Sequence, residues 1–339
     1  MSTDIYDIAE HCGVSIATVS RVLNQKGNVR ESTRLCVLEA IAELDYSPNV
    51  FARGMGLNSA RMIGVLCTDV TDLYYARAVS GIERLLKAEG YDLILCCTGN
   101  DPAKKRQYLR FLLDKKVDGI FLIGSIFKEK HDNSHIRQAA AEVPVILINA
   151  VLRSPNVFCV VCSDRDASAR MSGELIRSGC RSILFAYDTD TTSTREKIRG
   201  FRAGVRQALP GIHVRAAVSM ALKDSEDDRL AFPDLPEGTA ITDFDGILCS
   251  GDLLAARIQK MLHRAGQACP AQVRIIGYDN TAIGGITTPT LTSIDSRIDD
   301  LCEAGVAALI AHLNGQALPE KVVLNPEPVY RESFPEPMP

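Results

Sequence analysis

Apolar positions in the first fifty residues recur at helical spacing; from Met62 onward they switch to short continuous runs separated by amphipathic stretches. Ile5, Ile8, Ala9 and Cys12 fall at i, i+3, i+4 and i+7, one stripe of a helix. Asp4 is placed to cap that helix, and Asp7 lies in its first turn, where the helix dipole favours negative charge. Gly13 supplies a left-handed turn position, and Ser15 caps a second helix. That helix buries Val19, Val22 and Leu23 and turns Ile16, Ala17, Thr18, Ser20, Arg21 and Asn24 outward. Two helices around a tight glycine turn, the second with small and polar residues outward, predict a helix-turn-helix, which makes double-stranded DNA the first partner to test. A third helix over 32–44 closes the core, with Leu35, Leu38 and Ala42 on one stripe and Val37, Ile41 and Leu44 beside it. Tyr46-Ser47-Pro48 ends it, because the residue before proline disfavours the helical conformation.

The second part reads as strands at 62–67, 92–98, 119–123 and 145–149, alternating with helices at 74–89 and 103–115. A second series begins near Phe158, with helices at 167–178, 194–208 and 253–265 and strands at 182–187, 246–250 and 273–278. Short apolar strands alternating with helices predict parallel sheets covered on both faces. The expected fold is therefore a small all-α domain followed by an α/β core of two doubly wound parallel-sheet subdomains. Ligands of open α/β sheets bind beyond the carboxyl ends of the strands, so two facing lobes make a cleft there.

Composition narrows the class without changing this picture. The chain has 339 residues, 46% hydrophobic and 24% charged, ample for a small module plus larger domains. No segment approaches the ~18 uninterrupted apolar residues of a membrane span, and the N-terminus is polar and acidic, unlike a signal peptide. A cytoplasmic protein without membrane contact is expected. The eleven cysteines are scattered, many in apolar runs, and read as buried reduced thiols. Cys159 and Cys162 have CxxC spacing, but on a strand they point to opposite faces and cannot jointly hold a metal without distortion. No cofactor or metal is expected. Residues 1–61 carry six basic against seven acidic residues, an unusual balance for a DNA-binding module, since phosphate contacts dominate affinity. Dimerisation and the segment linking the two parts are therefore expected to matter more than usual.

The run V-S-I-A-T-V-S-R-V-L-N at 14–24, with S-P-N at 47–49 and A-R at 52–53, resembles the lactose/galactose-repressor family of bacterial transcription regulators. The resemblance continues through I-G-V at 63–65, V-D-G-I at 117–120, T-R-E-K-I-R-G-F at 194–201, I-I-G-Y-D-N at 275–280 and T-x-P-x-L-T-S-I at 287–294. It covers nearly the whole chain in family order. It implies a DNA-binding headpiece at 1–46, a hinge at 47–61 and a periplasmic-binding-protein-like core at 62–335. Within that core the N-lobe would take 62–161 and 294–325, and the C-lobe 162–293 and 326–335, with the helix at 298–314 crossing back onto the first lobe. The Pro-rich end, 335–339, is expected to fray.

Specific residues follow from pattern and resemblance together. The second helix of such a motif enters the major groove N-terminal end first. Ile16 and Ala17 can touch thymine methyls and the Arg21 fork suits guanine; by resemblance these three hold the family's specificity positions. Ser15, Thr18, Ser20 and Asn24 are suited to bond phosphates. Resemblance adds Asn49, Arg53 and Met55 from the hinge, which is implied to fold on DNA and wedge an apolar side chain, here Met55, into the minor groove. Gly54 and Gly56 flank Met55 and raise the cost of that folding, so Gly54→Ala is expected to tighten operator binding. For a small-molecule effector, a sugar or sugar derivative, the strand ends offer Asp69 with Tyr74 and Tyr75, then Ser125, Asp164, Asp252 and Asp279, with Arg195 heading a helix. Arg195 and Asp279 are the leading ligand contacts by resemblance. The bland alternative is that the acids cap the helices that follow them, Asp252 before Leu253-Leu254 and Asp166 in the same way.

Departures from the family pattern, Gly251 for Asn, Ala150 for a frequent Arg and Leu73 for Pro, leave the effector open and remove polar reach. A fourth departure, Arg30 in place of a capping Ser, means that the third helix has lost its cap or passed it to Ser32. The favoured function is a homodimeric, ligand-controlled repressor on a palindromic operator. A plain solute-binding protein would leave the headpiece without use. An enzyme is disfavoured because no catalytic motif occurs, and His131 and His135 lie in a polar stretch poorly suited to zinc.

Overall fold

The computed structural model describes residues 4–23, 27, 29–44, 60–207, 212–223, 230–317 and 320–336. The chain divides into two units, residues 1–61 and residues 62–339, each considered by itself. In the first, α1 spans Ile5–His11, α2 Ile16–Leu23 and α3 Glu31–Glu43. Asp4 caps α1 reciprocally: its carboxylate accepts from the Tyr6 and Asp7 amides while Asp7 accepts from the Asp4 amide. Gly13 takes φ +62° at the turn, and Ser15 Oγ accepts from the Thr18 amide at 3.3 Å. The core is Ile8 and Ala9 of α1, Val19 and Val22 of α2, and Val37 and Ala40 of α3.

The structure corrects the expected stripe of α3. Leu35 and Leu38 are 51% and 46% exposed and Ala42 is exposed, whereas Val37, Ala40, Ile41 and Leu44 face the core. Apolar residues run round much of this helix, so periodicity left two faces in contention, and only packing against α1 and α2 chose between them. Arg30 occupies the cap position of α3 without a side-chain cap hydrogen bond, so the cap is lost and not passed to Ser32.

The second unit contains β1 Met62–Cys67, α4 Leu73–Ala88, β2 Asp92–Cys97, α5 Pro102–Asp114, β3 Gly119–Ile123, α6 Ser134–Glu142, β4 Val145–Ile148 and β5 Val157–Cys162. There follow α7 Asp164–Arg177, β6 Ser182–Tyr187, α8 Thr192–Arg206, β7 Arg215–Met220, the short pair β8 Leu222–Lys223 and β9 Leu230–Ala231, β10 Gly246–Cys249, α9 Asp252–Arg264 and β11 Arg274–Tyr278. The remaining elements are α10 Ile283–Ile286, β12 Thr292–Asp295, α11 Ile298–Leu313, β13 Lys321–Leu324 and β14 Glu327–Val329. Two six-stranded sheets result, in the orders β13-β5-β4-β3-β1-β2 and β14-β12-β11-β10-β6-β7. All pairings in them are parallel except β12 with β14.

Strand alternation explains why the first sheet needs helices on both faces. Phe121 and Ile123 of β3 join the core under α4 and α11, while Ile120 and Leu122 join the one under α5 and α6. Cys159 and Cys162 divide the same way between the two faces of β5, as their spacing requires. Helix α11 packs Leu301, Cys302, Val306 and Leu309 against the first sheet although it follows β12 of the second.

The chain crosses between lobes three times, at Ser163, at Ser296–Arg297 and at Asn325–Pro326. The crossings are tied together: the Ser163 amide donates to Leu324 O at 2.9 Å, Ser163 Oγ donates to Asn325 Oδ1 at 3.2 Å, and the Cys162 thiol donates to Ser296 O at 2.7 Å. The lobe boundary expected at 294 falls inside β12, all four residues of which belong to the second sheet, and the crossing comes at Ser296–Arg297. The polar stretch around His131 and His135 is the approach to α6, with His135 buried in it.

Candidate functional site

Two surfaces concentrate chemistry. The first is the outer face of α2. Ser15, Ile16, Ala17 and Arg21 are exposed, Thr18 and Ser20 half-exposed, while Val19 and Val22 anchor the helix underneath. Ile16 pairs with Ser20, and Ala17 with Arg21, at i, i+4, so the four make one continuous patch. Ser15 Oγ and Thr18 Oγ1 lie 2.9 Å apart, so these hydroxyls organise the helix start as well as facing outward. The other DNA-contact residues expected from sequence, Asn24, Asn49, Arg53 and Met55, lie outside the described residues, as does Gly54 of the hinge.

The second surface is a cavity of about 490 Å³ between the lobes. Its walls are loops at the carboxyl ends of strands from both sheets: Thr68 and Asp69 after β1, Ser125 after β3, Asn149 after β4, Asp188 after β6, Ser250 and Asp252 after β10, and Asp279 after β11. Tyr74 and Tyr75 enter from the first turn of α4, their rings edge to face at 5.3 Å. The Tyr74 hydroxyl is buried and has no hydrogen-bond partner among the described residues. Asp279 has φ +89° and is only partly exposed. Burial pushes its carboxyl up to about 7, and the Lys197 ammonium opposes that rise.

Lys197 is the cation of this cavity. It is 5% exposed, donates to Ser250 O at 3.0 Å and stands 3.4 Å above the centre of the Tyr278 ring. Its inward position comes from the helix register: Thr194, Lys197, Phe201 and Gly204 form the buried stripe of α8. Gly200 completes that stripe because a Cβ there would sit 2.0 Å from Arg165 O, so only glycine lets α8 close on α7.

Sequence reasoning put Arg195 here instead. Arg195 leaves the buried stripe of α8, donates to Asp190 at 2.7 Å and faces a neighbouring cavity. Asp164 is also absent from the walls of the interlobe cavity. It is buried behind it, accepting from the Tyr278 hydroxyl at 2.7 Å and from Ser193 Oγ at 2.5 Å, a brace between α7, α8 and β11. Asp252 lines the cavity as expected, but its oxygens are committed to Ser293 Oγ at 2.6 Å, the Thr281 amide at 2.6 Å and Thr281 Oγ1 at 3.0 Å. It is the first residue of α9 and not its cap: Gly251 holds the cap position, with no side-chain cap hydrogen bond. Gly277 makes room for it: a Cβ on Gly277 would meet Asp252 Oδ1 at 2.2 Å. The structure thus brings together Asp69, Tyr74, Tyr75, Ser125, Asp252 and Asp279, and adds Lys197, Asn149, Asp72 and Asp188, which sequence reasoning missed. The stripe ending in Phe201 and Gly204 was the readable signal for Lys197; nothing comparable marked Asp188.

Residues 4–49 match the family model of bacterial regulatory proteins of the lacI family, and residues 173–334 match that of the periplasmic binding protein-like domain. An HTH-type transcriptional regulator of Lachnoclostridium phytofermentans is 38% identical over 333 residues, covering 97% of this chain and 99% of its own length. The chain belongs to the lacI family. The ribose operon repressor of Halalkalibacterium halodurans is 31% identical over 319 residues, 93% of this chain and 92% of that protein. Among solved structures, a lac repressor dimer bound to operator and the anti-inducer ONPF superimposes with a TM-score of 0.83 at 22% identity, over 99% of this chain and 100% of that one. At that identity the superposition establishes the lac repressor-like fold. LacI-family membership makes the chain a transcriptional regulator with a helix-turn-helix DNA-binding domain, a family of regulators and not of enzymes. Among the described residues no helix is long and apolar enough to cross a membrane, and no cluster of three His, Cys, Asp or Glu residues could hold a metal ion.

Proposed function

We propose that this lacI-family chain is a homodimeric repressor whose operator affinity is set by a neutral polyhydroxylated ligand, a sugar or sugar derivative, bound in the interlobe cavity. The exposed patch of α2 carries the DNA half of the reading: Ile16 and Ala17 touch base methyls, Arg21 reads guanine, and Ser15, Thr18 and Ser20 set the phosphate register. The headpiece would span 1–46, the hinge 47–61 and the effector core 62–335, with Asn24, Asn49, Arg53 and Met55 completing the DNA contacts.

The observation that carries the ligand half is a cavity with walls from both lobes that gathers Tyr74, Tyr75, Ser125, Asn149 and Asp279 around one buried ammonium, that of Lys197. Lys197 donates to ligand oxygens, Asp279, Asp69 and Asn149 accept hydrogen bonds from its hydroxyls, Ser125 adds a hydroxyl, and Tyr75 offers a ring to the C–H face. Asp252 and Asp164 hold loops in place for those contacts, and Arg195 acts from outside the cavity. The cavity walls come from both lobes, so occupancy biases lobe closure and, through linkage, operator affinity. The names of relatives fit this choice: one is a ribose operon repressor, and a further fold match is a CelR–cellobiose complex.

The test is an operator titration at fixed salt, on DNA upstream of the gene itself and of neighbouring transport genes, with and without pentoses, hexoses and disaccharides. A sugar that changes operator affinity in the parent protein and does nothing in Lys197→Met supports the proposal. Binding to none of those fragments, or a sugar response untouched by Lys197→Met, overturns it. Arg21→Ala is expected to weaken the specific complex by roughly 10- to 100-fold.

A further inference from the structure

Two thiols that neither the DNA-binding face nor the interlobe cavity uses meet at one end of the first sheet. Cys67 ends β1, Cys97 ends β2, and the two are direct register partners of this parallel pair, so both side chains stand on one face. Their Sγ atoms lie 3.9 Å apart. Neighbouring strands run about 4.8 Å apart, inside the roughly 4.4–6.8 Å Cα separation that a disulfide spans. The backbone therefore already has the spacing of a cross-link. Strand alternation keeps Cys96 out of the pair, pointing it to the opposite face beside Leu66 and Leu109.

The two thiols differ as an oxidisable pair needs them to. Strand β2 is the edge of its sheet and Cys97 is exposed, so a small oxidant in solvent reaches its sulfur. Cys67 is fully buried, and that burial, with the Cys97 thiol beside it, pushes its own thiol up to about 12. Cys97 is therefore the sulfur that meets the oxidant, and Cys67 the one that resolves the product. The chain between them carries Thr68, Asp69, Asp72, Tyr74 and Tyr75, all walls of the interlobe cavity. Just beyond the pair, the Thr98 amide donates to Cys67 O at 2.9 Å and the Gly99 amide to Thr68 O at 2.9 Å. The strand ends that hold the thiols thus also hold the cavity rim.

We propose that Cys67 and Cys97 are a redox-sensitive modification site, joined by a reversible disulfide when a hydroperoxide oxidises them. The Cys97 thiolate attacks one peroxide oxygen and the O–O bond breaks. For hydrogen peroxide, hydroxide leaves and is protonated to water, and Cys97 becomes a sulfenic acid. The Cys67 sulfur then displaces that hydroxyl, which takes the Cys67 proton and leaves as a second water. The two thiols lose two electrons and the peroxide gains them; a thiol reductant restores the pair. The bond closes a loop over 67–97 and fixes the ends of β1 and β2, so the rim that carries Asp69 and Tyr75 loses freedom. The chemistry stands without any effector; only its effect on operator affinity rests on the function proposed above.

The test treats reduced full-length protein with hydrogen peroxide, alkylates it under denaturing conditions and digests it without reductant. Mass spectrometry is expected to find the Cys67 and Cys97 peptides joined in most molecules and released by dithiothreitol. Cys97→Ser removes the linked species; Cys96→Ser, which shares the peptide but faces the other way, keeps it. In an operator titration, oxidation is expected to change affinity by roughly fivefold or more in the parent and in Cys96→Ser, and not in Cys97→Ser. Unlinked Cys67 and Cys97 after peroxide overturn the proposal. So does a bond from Cys97 to a second copy of the chain, or one from Cys12 to Cys36, whose carbonyl the Cys12 thiol meets at 3.4 Å, formed in its place. A Cys67–Cys97 bond that leaves operator affinity unchanged overturns the regulatory role. Reduced protein that binds no operator fragment fails the proposed function, while the mapped bond still decides the redox site.

Discussion

The two neighbouring cavities share a wall and the same pair of lobes, yet one is lined by five carboxylates and one ammonium and the other by five cations and three acids. The difference teaches that formal charge is a poor guide to what each carboxylate does. In the interlobe cavity, Asp69 at the rim is held below its ordinary range by hydrogen bonds from Thr71. Asp279, deeper, is pushed up to about 7 by burial. Asp252 is raised by burial too, with hydrogen bonds from Ser293 and Thr281 resisting. The same residue type therefore serves as solvated rim, titratable floor and internal strut within one cavity. In the cationic cavity two of the three acids are held by local partners, Glu196 by Arg199 and Asp164 by Ser193 and Tyr278, which leaves the lining with surplus positive charge.

The largest expected effect tests the strut. Asp252→Ala strands Ser293 Oγ and the Thr281 amide, so urea denaturation should show a loss of about 3 kcal/mol in core stability. A variant as stable as the parent would mean that Asp252 is only one more ligand carboxylate. Next comes the lone ammonium. Lys197→Met should weaken sugar binding measured by calorimetry by roughly 10- to 100-fold, because a charge-assisted hydrogen bond is lost. Arg195→Met should change it by less than about threefold, the pair it makes being a partly exposed one. Equal losses from the two would erase the distinction between the cavities.

A third expectation concerns pH. The folded pKa of Asp279, about 7, lies above its ordinary value of 3.8, so between those values the folded state holds a proton that the unfolded state has released. That contribution to stability is complete below pH 3.8 and is lost as pH rises toward 7. Asp279→Asn should flatten this part of the stability–pH curve relative to the parent, as followed by thermal unfolding in a buffer series; parallel curves would show that Asp279 is ionised throughout. The smallest effect belongs to the ion pair between Lys130 of the first lobe and Asp190 of the second, 3.3 Å apart and largely exposed. Lys130→Ala should shift ligand affinity by no more than about threefold, and less at high salt.

Much of this molecule is legible before any coordinates. The capped α1, the Gly13 turn and the buried residues of α2 follow from a handful of spacings, because a short helix with one apolar stripe has one way to bury it. The alternating α/β core was equally readable, since β1, β3 and β6 are continuous apolar runs that only a two-faced parallel sheet can hide. Polar edge strands escaped notice: β7, β13 and β14 are partly exposed and lack that signal.

By itself the sequence determined the order of modules, the family and the strand ends at which a ligand cavity opens, because hydrophobic period and motif spacing are local properties. Only the tertiary structure decided that Lys197 and not Arg195 enters the interlobe cavity, that Asp164 braces from behind, and that Asp252 is spent on Thr281 and Ser293. Two basic residues two positions apart on one helix look alike in a string of letters. They differ once the glycine-tight packing of α8 on α7 fixes the rotation of the helix and assigns one side chain to the buried face and the other to a partly exposed pair with Asp190.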